Sequence, residues 1–266
     1  MFIEFLPYFF VFIFGLCIGS FLNCVIYRLE QKKSLKGRSF CPHCKHKLFW
    51  QDLFPVFSFL LLGGRCRYCK KSISWQYPIV ELFTGILFIL VFSLACPMST
   101  LYQYISVLYL FYISSALIVI FVYDLKHYII PDKVLFPAII TALIYNFILL
   151  LPGAEPAQHM FYTFLAAIIA SGFFLIIFLI SKGKWMGFGD VKLAVLMGLL
   201  LGLPNVLAAL FLAFFFGAII GIILMVFKKK SLKSEIPFGP FLIFGTFMAM
   251  LYGNQMVQWY MHLFLI

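Results

Sequence analysis

The chain has 266 residues, of which 64% are hydrophobic and only 11% are charged, and its formal net charge is +11. A soluble domain of this size cannot bury so much apolar surface, so the composition excludes a soluble globular protein and indicates an all-α polytopic membrane protein. The positive charge does not indicate nucleic-acid binding, because membrane topology and contact with anionic lipid headgroups account for the basic residues.

Eight apolar segments are candidates for membrane-spanning helices, each of which needs about 20 apolar residues. In chain order they are roughly 5–27, 79–97, 103–123, 134–151, 159–181, 189–203, 205–227 and 238–262. The sixth segment is short, and only a Leu-Pro-Asn turn separates it from the seventh. The first is too long for a signal-peptide core and has no basic stretch before it.

The basic residues predict the orientation of these helices. All 20 lysine and arginine residues fall at the connections after the first, third, fifth and seventh predicted helices, whereas the opposite connections (97–102, 152–158 and 203–205) hold none. Because cytoplasmic loops carry the excess of lysine and arginine, this side is predicted to be cytoplasmic and both termini to lie outside.

Three parts are expected along the chain: a first helix at 1–27, a cytoplasmic cysteine-rich domain at 28–77, and a seven-helix membrane domain at 78–266. The cysteine-rich domain carries two C-x2-C pairs, Cys41 with Cys44 and Cys66 with Cys69. The two pairs are separated by 21 residues, one more than the usual spacing of about 15–20 in structural zinc sites. Four thiolates in two such pairs suit a tetrahedral, zinc-ribbon-like Zn²⁺ site. The site is expected to be structural, because four protein ligands leave no open position for catalysis. A metal-free thiol cluster or a redox pair is the alternative. His43 and His46 are interpreted as solvated side chains, with a role as rival ligands as the alternative.

Two aspartates lie where apolar segments meet the basic side of the membrane. Asp124 ends the third predicted helix, and Asp190 opens the sixth in the sequence Gly-Phe-Gly-Asp. Ionisable groups at membrane depth are costly and are therefore functional candidates. Two carboxylates that share a proton can hydrolyse a peptide bond without a metal, which suggests an intramembrane aspartyl protease. Helix polarity further predicts that Asp190 holds the charge and Asp124 the proton.

Gly187 and Gly189 are interpreted as a supporting loop that leaves room for an extended substrate strand beside the aspartates. Each aspartate also has a simpler interpretation: Asp190 as the N-cap of its helix, and Asp124 as a headgroup-level residue paired with Lys126 or His127. Asp132 reads first as the cap of the fourth predicted helix and is a reserve catalytic candidate.

Three polar residues near the cysteine-rich domain are further candidates for contact with substrate or with a methyl donor. Glu81 either stabilises the first turn of the second predicted helix or contacts a substrate amine. Asn23 and Arg28, near the end of the first predicted helix, are otherwise packing and snorkelling residues.

Taken in order, these motifs resemble those of the type IV prepilin peptidases, the leader peptidases and N-methyltransferases of pilin and type II secretion systems. The resemblance runs nearly end to end, and Glu30 stands where proline often follows Arg-Leu in that family. The matching pieces are Gly19-Ser20-Phe21-Leu22-Asn23, Arg28-Leu29, the two cysteine pairs, Tyr77-Pro78-Ile79-Val80-Glu81, Asp124-Leu125, Ile130-Pro131-Asp132, Gly187-Phe188-Gly189-Asp190-Val191-Lys192 and Pro237-Phe238-Gly239-Pro240.

The resemblance implies that Asp124 and Asp190 cleave a basic leader from prepilin or pseudopilin substrates, after glycine, at the cytoplasmic face of the bacterial inner membrane, with no metal in the peptidase site. It also implies methylation of the new N-terminus with S-adenosylmethionine. Two other interpretations stay open: a different G-x-G-D protease acting on helical substrates, and a transporter or assembly subunit that uses the aspartates as an ion or proton site.

Overall fold

The computed structural model describes residues 2–95, 100–149, 157–227 and 236–264. Within these ranges the chain forms nine α-helices, one 3-10 turn and two isolated β-bridges, and it contains no strand. The 3-10 turn is Trp50–Leu53, and the helices are α1 (Phe2–Glu30), α2 (Phe57–Leu61), α3 (Gln76–Ala95), α4 (Leu101–His127), α5 (Asp132–Ile148), α6 (Ala157–Ser181), α7 (Phe188–Leu201), α8 (Asn205–Val226) and α9 (Gly239–Phe264).

The all-α prediction is confirmed for the described residues, and each of the eight predicted segments coincides with one long helix. By length and composition, five helices can cross a membrane: Phe5–Glu30, Gln76–Leu94, Leu101–His127, Met160–Ser181 and Asn205–Val226. These five make the chain a multi-pass membrane protein, while eight crossings stay a prediction. The predicted helix ends at 96–97 and 150–151 lie outside the described residues.

The chain divides into two compact units, Met1–Val119 and Ile120–Ile266. In the first unit α1 packs along α3. Their backbones meet at Gly19, where an added Cβ would fall 2.7 Å from the Cα of Glu81. Small residues permit such close approach between apolar helices. The three parts predicted from the sequence are defined by their position relative to the membrane, whereas the two units are defined by compactness. The three-part division therefore stays a prediction.

In the second unit α7 is the central helix. It packs closely against α6 and also contacts α5, α8 and α9. At Gly198 an added Cβ would overlap the backbone of Ala167 on α6. Most of α7 is therefore buried from its first turn onward, and this burial includes Asp190.

The cysteine-rich segment contains the same turn twice. After each C-x2-C pair, the N–H of the first cysteine donates to the carbonyl five residues later, at 2.9 Å in both copies. The residue after each pair, Lys45 or Lys70, has a left-handed φ, of 60° and 57° respectively. An isolated antiparallel bridge flanks each turn. No convincing repeat is visible in the sequence, because the similarity lies in the backbone rather than in the side chains.

Candidate active site

Two helix ends in the second unit carry the two aspartates. Asp124 lies in the last turn of α4 and is 4% exposed, and Asp190 lies in the first turn of α7 and is 8% exposed. The two carboxylates are close enough for the charge of Asp124 to act on Asp190. The structure thus brings together two predicted residues that are separated by more than sixty positions in the chain.

Each carboxylate accepts a hydrogen bond from a glycine backbone. The N–H of Gly187 donates to Asp190, and the N–H of Gly239 donates to Asp124. A Cβ on Gly239 would overlap Oδ2 of Asp124 and would lie 3.2 Å from its Cγ. Gly239 is therefore a site residue that the sequence interpretation missed, although it belongs to the Pro-Phe-Gly-Pro motif. The signal in the sequence was a glycine that opens a predicted helix on the side where both aspartates are predicted to lie.

The position of Gly239 affects the prediction from helix polarity. Gly239 is the first residue of α9, so the N-terminal dipole of α9 favours an anion at Asp124. The C-terminal dipole of α4, on which the prediction relied, acts in the opposite sense. Helix polarity therefore does not distinguish the two carboxylates, and the assignment of the proton to Asp124 stays a prediction.

The structure bears on the N-cap interpretation of Asp190, whereas the pairing of Asp124 with Lys126 or His127 stays an alternative. The N-cap of α7 is Gly187, and Asp190 is the third helical residue, whose carboxylate reaches back to the N-cap N–H as in half of a capping box. Lys126 and His127 are exposed, whereas Asp124 is buried. At α5 the N-cap is Pro131, so Asp132 is the first helical residue rather than the cap.

A cavity of about 470 Å³ opens beside the aspartates. Asp124, Asp190 and the reserve candidate Asp132 all line it, together with both lysines of the 184–192 segment. The remaining lining residues are Tyr128, Ile129, Ile130, Gly183, Trp185, Met186, Gly187, Phe188, Gly189, Ile236, Pro237 and Phe238. An extended peptide segment needs such an open, partly polar space at the reacting groups.

Asp132 and Lys192 form an ion pair at the edge of this cavity. The Asp132 side chain is 54% exposed, which separates it from the two buried aspartates. The Lys192 Nζ also lies 5.3 Å from the ring centroid of Phe136 and 5.6 Å from that of Phe188. Lys192, two residues after Asp190, therefore connects the start of α7 to the start of α5.

The two predicted loop glycines have different surroundings. A Cβ on Gly189 would lie 3.1 Å from the Cβ of Ile130, so this position is tight. A Cβ on Gly187 would meet nothing closer than 3.8 Å. Gly189 lets the chain pass close to Ile130, whereas Gly187 contributes its N–H and the extended backbone of an N-cap.

The four predicted metal ligands form one cluster in the first unit. The Sγ atoms of Cys41, Cys44, Cys66 and Cys69 all lie within 4.8 Å of one another, and no other described His, Cys, Asp or Glu joins the group. The 3.9 Å distance from Cys41 Sγ to Cys69 Sγ matches the spacing of about 3.8 Å between thiolates bonded to one zinc at about 2.3 Å. The donor set therefore fits a tetrahedral zinc ion, with no position left open.

Neighbouring thiols of the cluster affect one another in opposite directions. Burial opposes the thiolate of Cys41, but the backbone N–H groups of Cys44 and His43 outweigh it and lower the pKa of Cys41 to about 7. The backbone N–H of His46 favours the thiolate of Cys44, but desolvation and the thiols of Cys41 and Cys69 outweigh it and raise the pKa of Cys44 to about 11. The ring of His46 lies against that of Tyr68, with centroids 3.7 Å apart and a tilt of 31° between the ring planes, and His46 does not belong to the cluster.

The three remaining candidates, Glu81, Asn23 and Arg28, are buried and have partners within the first unit. Asn23 joins α1 to α3, because its amide donates to the carbonyl of Tyr77 at 3.1 Å and accepts from Gln76 at 3.2 Å. Glu81 accepts the N–H of Val56 at 2.7 Å. The guanidinium of Arg28 donates to four backbone carbonyls between residues 34 and 38, at 2.8 to 3.4 Å. A role in binding substrate or methyl donor stays a prediction for all three.

Two buried carboxylates that meet at the ends of apolar helices, each with a backbone donor and a shared cavity, are the arrangement expected of a membrane-embedded aspartyl peptidase. The comparisons with known proteins agree. The profile of the Bacterial Peptidase A24 N-terminal domain matches residues 13–95, and that of the Type IV leader peptidase family matches residues 111–222.

Curated relatives match over almost their whole length, and three of them, from different bacteria, are each named a prepilin leader peptidase/N-methyltransferase. The protein from Aeromonas salmonicida (strain A449) is 32% identical over 94% of this chain and 92% of its own. Those from Legionella pneumophila and Bacillus subtilis (strain 168) are each 30% identical, over 93% and 94% of this chain and 92% and 96% of their own. The chain therefore belongs to the type IV leader peptidase family. No solved structure matches it.

Proposed function

We propose that this protein is a membrane aspartyl endopeptidase that removes the leader from type IV prepilin-like proteins and then N-methylates the new N-terminus. The observation that carries the peptidase part is the convergence of the Asp124 and Asp190 carboxylates on one cavity of the second unit. The names of the relatives support both activities and the substrate class.

The two carboxylates have complementary tasks in the hydrolysis. The ionised member accepts a proton from a water molecule, and the water oxygen attacks the scissile carbonyl carbon. The protonated member donates its proton to the carbonyl oxygen as the π bond opens, giving a neutral tetrahedral diol. The member that took the proton from water then gives it to the amide nitrogen, and the other member takes a proton from one diol hydroxyl as the C–N bond breaks. A carboxylic acid and an amine leave, and the pair again holds one proton. No metal takes part in these steps.

The glycine N–H groups hold the carboxylates in place during this sequence. Each donates to one aspartate, so each carboxylate keeps an oxygen directed by the backbone while the other oxygen is available for water or substrate. Backbone donors cannot rotate away as side chains can, and such preorganised groups reduce the rearrangement needed at the reacting centre. Both aspartates lie in a terminal turn of a helix, a placement that suits cleavage at the membrane surface better than ion transport through the bilayer centre.

We further propose that the aspartates face the cytoplasmic side of the bacterial inner membrane and that both termini lie outside. The distribution of lysine and arginine supports this orientation. It places the cavity where a short basic leader waits after synthesis, next to the point where the apolar segment of the substrate enters the membrane. Asp132, exposed at the cavity edge, adds an acidic group on the path of such a leader.

Two further molecules belong to this proposal. Cys41, Cys44, Cys66 and Cys69 would hold a zinc ion, which supplies folding energy to a segment too small to build a large core. S-adenosylmethionine is the proposed methyl donor. The names of the relatives support it, and the cysteine-rich domain with its membrane flanks is the region we propose to host it.

The test uses the full chain in lipid vesicles with a substrate that carries a basic leader, Gly-Phe at the junction, and a long apolar segment. Asp124→Asn and Asp190→Asn keep the size of each side chain and remove its charge. Each is expected to lower the cleavage rate at least about 1000-fold, because the two groups act as a unit. The matched control is Asp52→Asn, an aspartate of the cysteine-rich segment, which should leave cleavage within a few-fold of wild type.

Retained cleavage in either active-site variant would refute the proposed pair. Labelled S-adenosylmethionine in the same reaction reports the second activity. In that reaction the label is incorporated only after cleavage has formed a new N-terminus. A mature substrate supplied without its leader makes methylation measurable in the two aspartate variants as well. Failure of that arm alone would remove methyl transfer from the proposal and leave the peptidase intact.

A further inference from the structure

Between the two cysteine pairs lies a run of large apolar side chains that the fold leaves exposed. Trp50 is 67% exposed, Phe57 60%, Leu60 65% and Leu61 86%. Phe49, Leu53 and Phe54 are exposed as well, so the segment 49–61 presents aromatic and aliphatic groups together. A surface of this kind marks an interaction site, because scattered exposed apolar residues do not form such a continuous run.

One hydrogen bond fixes the position of this segment relative to α3. The N–H of Val56, immediately before α2, donates to Glu81 on α3 at 2.7 Å. Glu81 is five residues into the candidate span Gln76–Leu94, which corresponds to about 7.5 Å along the helix from its first residue. A 19-residue span has a length of about 28 Å, close to the thickness of the hydrocarbon core. The start of α2 therefore lies level with the first turns of this candidate span.

The packing of α2 determines which of its side chains point away from the protein. Phe59 is buried and its ring lies 4.9 Å from that of Trp75, just before α3. Gly64 lies against the same Phe59 ring. Phe57, Leu60 and Leu61 remain exposed, so α2 buries Phe59 against the first unit while these three apolar side chains point outward.

The charges around this segment indicate the kind of surface that it meets. Residues 28–77 contain eleven lysine and arginine residues but only two acidic residues, Glu30 and Asp52. Asp52 is paired with Arg67 at 2.8 Å. An apolar face level with the first turns of a candidate span, beside an excess of basic groups, is complementary to a leaflet of anionic phospholipid.

We propose that residues 49–61 form an interfacial membrane segment, with Trp50, Phe57, Leu60 and Leu61 immersed at the headgroup and acyl-chain boundary and the surrounding basic residues bound to anionic phospholipid headgroups. The region between α1 and α3 is then a layer lying in the cytoplasmic leaflet, and only its cysteine turns reach into water. This inference depends on the membrane position of α3 and is independent of the proposed peptidase activity.

The first experiment needs no substitution. The wild-type chain is reconstituted in vesicles that contain a phospholipid with a photoactivatable group on its acyl chain, and the adducts are mapped on peptides after irradiation. Adducts are expected on 49–61 as well as on the spanning helices, but not on the turn at 66–72. The yield on 49–61 should rise with the phosphatidylglycerol content of the vesicles, whereas the yield on α3 should not. Absence of adducts from 49–61 would overturn the proposal.

A second experiment measures depth directly. One variant keeps Trp50 as the sole tryptophan and carries Trp75→Phe, Trp185→Phe and Trp259→Phe. A second variant adds W50F and Leu61→Trp, which places the only tryptophan on α2. Acyl-chain-brominated phospholipid should reduce both emissions by about half or more, and iodide should quench them several-fold less than it quenches a free tryptophan amide. Quenching by iodide alone would place the segment in water. Protection from both quenchers would show that protein covers it, and either result contradicts the proposal. Helical circular dichroism and zinc content check that each variant is folded.

Discussion

The backbone N–H of Gly239 donates to the carboxylate of Asp124, and no side chain fits at position 239 because its Cβ would overlap Oδ2 of Asp124. This contact joins the last turn of α4 to the first residue of α9. The position of one catalytic candidate thus depends on a residue more than a hundred positions away that carries no functional group.

Gly239→Ala is therefore expected to displace the Asp124 carboxylate by a substantial fraction of an ångström or more. A misplacement of about 1 Å at a reacting group costs about 100-fold in rate, so we expect kcat/KM for leader cleavage to fall by about this factor. The loss should appear mainly in kcat, because the substituted residue faces the carboxylate. The measurement is steady-state cleavage of a prepilin-like substrate in vesicles.

Gly187→Ala is the matched control for this prediction. It changes the other glycine that donates to an aspartate, but its Cβ would meet nothing closer than 3.8 Å, and its φ of −77° is accessible to alanine. Its kcat/KM should stay within about ten-fold of wild type, because the N–H is kept and nothing is displaced. Equal losses in the two variants would contradict the steric argument.

Lys192→Gln is expected to lower cleavage modestly, by at most about five-fold, because it removes the ion pair between the starts of α7 and α5 without touching the two buried aspartates. Asp132→Asn should have a similar effect if the pair acts through position alone. Cleavage rates and thermal unfolding of each variant give the two readouts, catalytic and structural.

The double variant Lys192→Gln with Asp132→Asn separates positioning from substrate recognition. If only the ion pair matters, the double variant is no worse than either single one, and the coupling energy is about 0.2–1 kcal/mol, as for a partly exposed pair. If Asp132 also receives the basic leader, Asp132→Asn raises KM for a substrate with a basic leader but not for one whose leader lysines are replaced by glutamine. If Asp132→Asn instead lowered the cleavage rate by about 1000-fold, Asp132 would be a catalytic residue.

The helices were predictable from the sequence, because runs of about 20 apolar residues leave few alternatives to a helix in a membrane. Asp124 and Asp190 were predictable as candidates, because a carboxylate is rare in such a chain. The short α2 was not predicted. Its five residues are too few for a periodic signal, and its position depends on the tertiary contact between Val56 and Glu81.

The role of Gly239 was beyond the sequence for a related reason. Glycine is required at position 239 because a Cβ there would overlap Asp124, which is far away in the chain. Helix polarity does not show which of the two aspartates is protonated, for the same reason. The prediction considered α4, which carries Asp124, but not α9, which begins beside Asp124. Properties that belong to one segment were predictable, and those that arise between segments needed the fold.

Cys66→Ser is expected to remove the zinc ion from the purified chain, because Cys66 is one of four sulfur atoms within 4.8 Å of one another and is buried. Without the metal, a segment of this size loses most of its folding energy, so residues 38–75 should become sensitive to protease. Metal analysis by mass spectrometry and limited proteolysis in vesicles measure the two effects.

Cys17→Ser is the matched control for the zinc prediction. Cys17 is an exposed cysteine of α1, outside the cluster, and its replacement should leave one zinc ion per chain and an unchanged digestion pattern. A zinc content that is the same in wild type and Cys66→Ser would show that the four thiols are not the metal site.

Asp52 gives the cysteine-rich segment a dependence on pH that can be predicted in sign. Partial burial opposes its charged form, but hydrogen bonds from Arg67 at 2.8 Å, the N–H of Phe49 at 3.2 Å and the hydroxyl of Tyr68 at 3.1 Å outweigh it and hold the pKa of Asp52 below its usual value. A carboxyl whose pKa is lower in the folded state stabilises the fold above its unfolded pKa of about 3.9, and this contribution is lost as the pH falls through the folded pKa.

Asp52→Asn should therefore destabilise the segment at neutral pH, by no more than about 1 kcal/mol because Arg67 is well exposed to solvent. The difference from wild type should stay constant down to about pH 5 and should narrow below about pH 4. Hydrogen exchange of the amides between residues 49 and 69, corrected for intrinsic rates, measures it in both proteins. Loss of zinc in acid affects both proteins alike, so the difference between them isolates Asp52. A difference that grew as the pH fell would show that the ionised form is not the one that the fold stabilises.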